Sequence, residues 1–228
     1  PALRAFDQTV QAYHRGDESL GAYARALDNK GGSPLAEPIA LFLRALRMEE
    51  TLDFKQVDIE RATLIETLSK KMNQTQTNEL IARSVSYRAG QLAYGDFYRS
   101  LLNLCNEVGV PLSGVPAMGA YIRYVLLSES IDAEALLRKI DKRERDVFSQ
   151  LAKTETEKKI VDESHRLSLV MKLVDFSLTP TEWAEYERTR SKTSIDSTLE
   201  PYETFYREAH ARDTAMAENV IHSLSTIQ

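Results

Sequence analysis

The four histidines, the single cysteine and the carboxylates are the residues of this chain that could carry chemistry, and their spacing decides which chemistry is open. A di-iron site in a helical bundle needs two Glu-x-x-His motifs on facing helices plus two further carboxylates. None of His14, His165, His210 and His222 has glutamate three residues before it. Asp162-x-x-His165 is the nearest approach, stands alone, and reads as a solvated pair on a helix face. Zinc is no better served, since one cysteine cannot make a Cys pair and no His-Glu-x-x-His occurs. Gly31-Gly32 is not followed by the Gly-Lys-Ser/Thr of a phosphate-binding loop, and neither Gly-x-Ser-x-Gly nor an Asp-Asp-x-x-Asp magnesium motif is present. The expectation is therefore no catalytic residue, no metal and no cofactor.

Cys105 shares an apolar helix face with Leu101, Leu104 and Val108, with no cation beside it to lower its pKa. It reads as a small buried hydrophobe.

Charges inside otherwise apolar seams carry more information. Arg61 falls in line with Val57, Leu64 and Leu68; Arg88 with Ile81, Val85 and Leu92; Glu144 between Ile140 and Val147; Asp213 within the seam of the last helix. A buried charge is costly unless paired. Pairing of Asp213 with Arg61 or Arg88 across a bundle would fix helix register, and the same three residues could instead line a polar pocket. Tyr-Arg neighbours recur at Tyr87-Arg88, Tyr98-Arg99, Arg123-Tyr124 and Tyr206-Arg207. Adjacent helical residues point about 100° apart, so each ring is expected at the core edge and each arginine outward. The basic run Arg188 to Lys192 reads as the cation-rich end of a helix.

The elements that must position these residues are almost all helical, because apolar residues recur at three and four and strand-like alternation is nearly absent. Short helices are expected over residues 3–13 and about 17–27, stopped by Gly16 and by Asn29 to Gly32. Ser33-Pro34 opens a long helix to about Met72, with a bend possible near Thr51 to Phe54. Residues 73–78 read as a turn, followed by a helix from about Asn78 to Leu92 and a restart at Gly95-Asp96. The irregular stretch from Glu107 to Gly119 is unusually apolar and is expected to pack on the bundle. A nearly all-apolar helix to Leu127 then belongs in the core. Asp132 can cap the next helix, Thr154-x-x-Glu157 reads either as a capping box after a turn or as a solvated stretch within one continuous helix, and Thr179-Pro180-Thr181-Glu182 is a capping box. Ile160, Ser164, Leu167, Met171, Val174 and Leu178 alternate at four and three, a coiled-coil-like seam. After a polar linker over 189–198, a last helix from about Leu199 carries Tyr202, Tyr206, Ala209, Asp213, Met216, Val220 and Leu224 along one line.

These readings give an all-α fold, a bundle of long antiparallel helices with coiled-coil-like seams and short accessory helices. It is read as a single helical domain over 1–228, with 1–32 as a possible peripheral arm. The net charge of −5 argues against a nucleic-acid partner. No apolar run approaches the roughly 20 residues of a membrane span. One cysteine favours a reducing compartment, so the cytoplasm over the periplasm, although the chain opens at Pro1 and an upstream signal is compatible with that start. The leading function is a non-catalytic interaction, scaffold or assembly protein with a protein partner or self-association. The alternatives are a helical small-molecule-binding protein and an enzyme of an unrecognised all-α class.

Overall fold

Helix α7 (Pro116–Glu129) is apolar on nearly every side, so it can be stable only where other helices surround it. It packs against α3 (Glu37–Thr51), α4 (Phe54–Ser69) and α6 (Tyr94–Glu107). Met118, Ile122 and Val125 of α7 meet Val57, Leu64 and Leu68 of α4 and Tyr98, Leu101 and Cys105 of α6 in one core. α5 (Gln74–Arg88) adds Leu80 to it. The computed structural model describes residues 1–30, 34–190 and 196–226, without the side chains of 196, 197 and 223–226. Among these residues it is all-α, with eleven α-helices and one short 3-10 turn, Leu112–Gly114. No helix among them is long and apolar enough to cross a membrane.

The chain divides into two units, Pro1–Phe148 and Ser149–Gln228. In the first, α1 (Ala2–His14) and α2 (Leu20–Lys30) supply fully buried side chains, among them Phe6, Tyr23, Ala24 and Leu27. The segment expected as a possible arm is thus part of a core. Phe6 meets Phe148 edge to face, at 4.8 Å between centroids, at the end of α8 (Ala133–Leu151). The second unit holds α9 (Glu155–Val174), α10 (Pro180–Thr189) and α11 (Asp196–Thr226). Its core is Leu169, Leu173, Leu178, Trp183, Tyr186 and Tyr206.

Several expected boundaries move for local reasons. The long helix after Pro34 is two helices. Leu52 is extended, and Asp53 accepts hydrogen bonds from the Lys55 and Gln56 amides at 3.0 and 3.1 Å, so α4 starts afresh where a bend was expected. α3 begins at Glu37 with Pro38 in its first turn, so Pro34 lies outside it, and Ser33 and the Gly31-Gly32 joint lie outside the described residues. The polar stretch from Asn73 is a helix start: the Asn73 side chain accepts from the Gln76 amide while the Gln76 side chain accepts from the Asn73 amide. α11 begins at Asp196 and contains Pro201; residues 191–195 of the expected linker lie outside the described residues. The capping box at Thr179 forms as read, and of the two readings at Thr154 the capping box is the one present. The apolar 107–119 segment is packed, with Val110, Val115 and Met118 buried.

α6 ends where Gly109, at φ +67°, lets the Val110 amide reach back to the Cys105 carbonyl at 2.8 Å. α9 ends with the same closure, the Ser177 amide on the Lys172 carbonyl at 2.9 Å, but the left-handed residue is Phe176, at φ +53°. A side chain there costs about 1–2 kcal/mol. The Phe176 ring offsets part of it by packing on Phe205 at 4.8 Å and Tyr202 at 5.4 Å.

The amino end of α7 has no cap of its own, since Val115 offers no side-chain acceptor. Glu60, buried in the middle of α4, supplies one: its carboxylate accepts from the Met118 amide at 2.9 Å and from the Gln56 side chain at 3.0 Å. Burial pushes the Glu60 carboxyl up, but the Met118 and Ala117 amides and Gln56 outweigh it and hold its pKa below the ordinary 4.5. A carboxylate lowered in the folded state adds stability that is present above its unfolded pKa and lost as pH falls through the folded one. Glu60→Gln is therefore expected to melt below the parent at neutral pH, and the gap to close as pH falls below about 4.5. Circular-dichroism melts of both proteins across that range measure it; a gap independent of pH would mean that the charge of Glu60 does not hold α7.

Candidate functional site

The three residues expected to form a seam or pocket are each accounted for locally. Arg61, on α4, pairs with Asp58 at 2.7 Å and lies over the Tyr121 ring at 5.8 Å from its centroid. Arg88 is the exposed last residue of α5. Asp213, on α11, is 69 % exposed and lies 3.4 Å from Arg212. The desolvation cost that would require a cross-bundle partner does not arise for an exposed carboxylate. Arg61 and Arg88 belong to the first unit and Asp213 to the second.

The carboxylates the structure buries are Glu60 and Glu203, and Glu144 is partly buried. Glu144, the fourth charge in a seam, accepts a short hydrogen bond from the Tyr23 hydroxyl, with His14 at 3.9 Å. Tyr23 stacks on Tyr13 at 4.3 Å, and burial, with the negative charge of Glu144, drives its pKa far above the usual tyrosine value. In the second unit Glu203 is almost wholly buried, and accepts from the Tyr186 hydroxyl at 2.6 Å and from Arg190. Arg190 comes from the basic run, which therefore feeds this network as well as ending a helix. The Tyr206 hydroxyl accepts from the Leu178 amide at 2.8 Å, and its ring stacks on Trp183 at 5.2 Å. Rings of the Tyr-Arg pairs pack inward as read: Tyr87 on Phe97 at 4.6 Å and Tyr98 on Tyr121 at 5.3 Å.

His165 pairs with Glu185 of α10 at 3.1 Å, not with Asp162. No group of three or more metal-ligating side chains occurs among the described residues. A hollow of about 140 Å³ between α5 and α6, lined by Gln76, Glu79, Arg83, Ser100, Asn103 and Glu107, is small against the roughly 300–1,000 Å³ of small-molecule sites. Cys105 is buried as expected, and burial raises its thiol pKa.

What stands out is apolar surface without cover. The line expected as a seam on α9 divides: Leu178 is buried in the core of the second unit, while Ile160, Leu167 and Met171 face outward. At 100° per residue, Ile160, Ser164, Leu167 and Met171 lie within about 40° of the line opposite the α9 core face, which is Leu169 and Leu173, and Val174 lies about 60° from it. Ile160, Leu167 and Met171 each leave about 60 % of their surface exposed. Glu163 is the one charge among the residues that flank this stripe from 160 to 174, and it is paired with Arg166 at 3.1 Å. α11 differs: Tyr206 is buried, while every side chain from 210 to 222 is exposed on all sides of the helix, Met216, Val220 and Ile221 among them. No family model, no curated protein and no solved structure matches the chain.

Two measurements test this description. Glu203→Gln removes the negative charge that Arg190 and Tyr186 share; breaking such a pair costs about 3–5 kcal/mol when fully buried, and about 2–3 with Arg190 partly in water. Trp183 is the only tryptophan, so its fluorescence reports the second unit, and its urea midpoint is expected to fall accordingly; an unchanged midpoint would mean the network adds no stability. Cys105 is expected to resist iodoacetamide in the native protein and to react fully in urea. Rapid native alkylation, followed by mass spectrometry, would contradict its burial.

Proposed function

We propose that the chain is a non-catalytic helical interaction or assembly module. The observation that carries the reading is the outward stripe of α9: a heptad-spaced apolar face, about 21 Å long at 1.5 Å per residue, set opposite the face that builds the core. A helix with two apolar faces is at home between two layers, and the described residues supply one of them. Contiguous apolar surface of this kind marks interaction sites on soluble proteins.

Magnitudes set what such a contact can do. Fully burying a Leu, Ile or Met side chain contributes about 1.5–3 kcal/mol. Covering the exposed part of Ile160, Leu167 and Met171 thus contributes roughly 3–5 kcal/mol. Association costs about 4–15 kcal/mol in lost freedom. A partner on the α9 stripe alone is weakly held, and a stable complex needs further surface as well.

The rival reading, a helical protein that binds a small molecule, draws no support from the dispersed Arg61, Arg88 and Asp213 or from the shallow hollow between α5 and α6. Native mass spectrometry of the purified chain, compared with its denatured mass, separates the two. The expected spectrum shows the polypeptide mass or whole multiples of it. Extra mass released on denaturation would overturn the module reading in favour of a retained ligand.

A further inference from the structure

α11 changes character along its length. Its first half is held by the core of the second unit: Leu199 and Tyr202 pack on that core, Tyr206 belongs to it, and buried Glu203 accepts from Tyr186 and Arg190. From His210 to His222 no side chain is buried on any side of the helix. Most protein helices are held by burial of one face, because helix formation by itself is close to neutral in water. These thirteen residues have only their own backbone and local contacts to keep them helical.

The sequence is poorly suited to that. Seven of the thirteen come from the lower half of the helix scale: Asp213, Thr214, Asn219, Val220 and Ile221, with His210 and His222. Val220 and Ile221 lose rotamer freedom against the preceding turn, and Asp213, Thr214 and Asn219 compete for nearby backbone groups. The Thr214 hydroxyl donates to the His210 carbonyl at 2.9 Å, a bond that slightly destabilises a helix. Aids to a helix end are missing too. Arg212 lies 3.4 Å from its own neighbour Asp213 rather than pairing with a residue one turn away, and the last turn holds no basic residue to meet the helix dipole.

Magnitudes decide between closed and open. Good helix formers extend a helix with an equilibrium constant of about 1–1.6 per residue, and residues of the lower half are roughly threefold worse than alanine. Over 210–222 the product favours open chain over the complete helix by about tenfold or more. The cost of nucleation does not enter, since the core-bound turns up to Tyr206 supply the nucleus. Helix content therefore falls away from His210 outward.

We propose that α11 is a helix of two parts: a fixed part through Tyr206, and a conditional part, residues 210–222, that is open chain for most of the time in the free protein. Any contact that requires these turns as helix is weakened by the fraction of time they are formed, so helix stability sets its strength. The equilibrium lies within one chain and does not depend on the module reading.

Cα chemical shifts of the full chain, measured by nuclear magnetic resonance, read helix content residue by residue. Residues 199–206 are expected at the full helical value, and residues 214–222 below about half of it. Thr214→Ala combined with Val220→Ala replaces two exposed residues of low propensity. It should raise the shifts across 214–222 by about twofold or more and leave the urea midpoint read by Trp183 unchanged. Full helical shifts at 214–222 in the parent would overturn the proposal. So would open-chain shifts that the double substitution does not raise, since helix propensity would then not set the opening. A moved Trp183 midpoint would also overturn it, by tying the segment to the core. The module reading falls instead on a retained small molecule in the native mass spectrum.

Discussion

The first unit depends on keeping α7 out of water. Its apolar faces are covered by α3, α4 and α6, but covering a helix this way also buries its amino end, where the first amides have no partner within the helix. Glu60 meets that cost from the neighbouring helix. It reaches the Met118 and Ala117 amides, and Gln56, one turn before it on α4, holds the carboxylate in place. Packing and polar satisfaction are therefore one requirement here: α4 must present Val57, Leu64 and Leu68 to α7 and Glu60 to its start, all from one face.

That coupling explains how far the sequence could be read. Periodicity located nearly every helix, because three- and four-residue spacing is a property of the backbone. It could not choose between neighbours. Glu60 is three residues after Val57 and four before Leu64, whereas Arg61 is four after and three before, so both fit the apolar line. The structure buries Glu60 and leaves Arg61 at the edge beside Asp58, because only the carboxylate can accept from amides of α7. Glu203 was missed for the same reason, lying four residues after Leu199 and three before Tyr206 without a sequence sign of Tyr186 and Arg190. Turn chemistry was legible where a side chain declares its partner, as in the capping box at Thr179. It was misread at Asn73, where a polar stretch looked like a turn and is a cap.

The carboxylates taken wholly or partly out of water follow one rule in both units. Glu144 and Glu203 sit where a tyrosine hydroxyl can donate to them, and Glu60 where amides can. Each carboxylate ties two helices together: α2 with α8, the successive α10 and α11, and α4 with α7. A hydrogen-bonded buried anion penalises any packing that leaves it unsatisfied more strongly than an apolar contact does. Polar groups thus select the arrangement that hydrophobic burial alone would leave less defined. The charges that looked most telling in the sequence, Arg88 and Asp213, are instead on the surface.

The strongest periodic signal in the second unit belongs to the side of α9 that builds no core. Leu169 and Leu173 face the core that α10 and α11 complete, yet the opposite side carries exposed Ile160, Leu167 and Met171. Folding of the described residues gives no reason for it, since an outward Leu or Met adds no stability and lowers solubility. The closure that Gly109 makes without strain at α6 is made by Phe176 at α9, half exposed and with its ring against Tyr202 and Phe205 of α11. Phe176 thereby ties the end of α9 to α11, so the same residue that closes one helix seats the next.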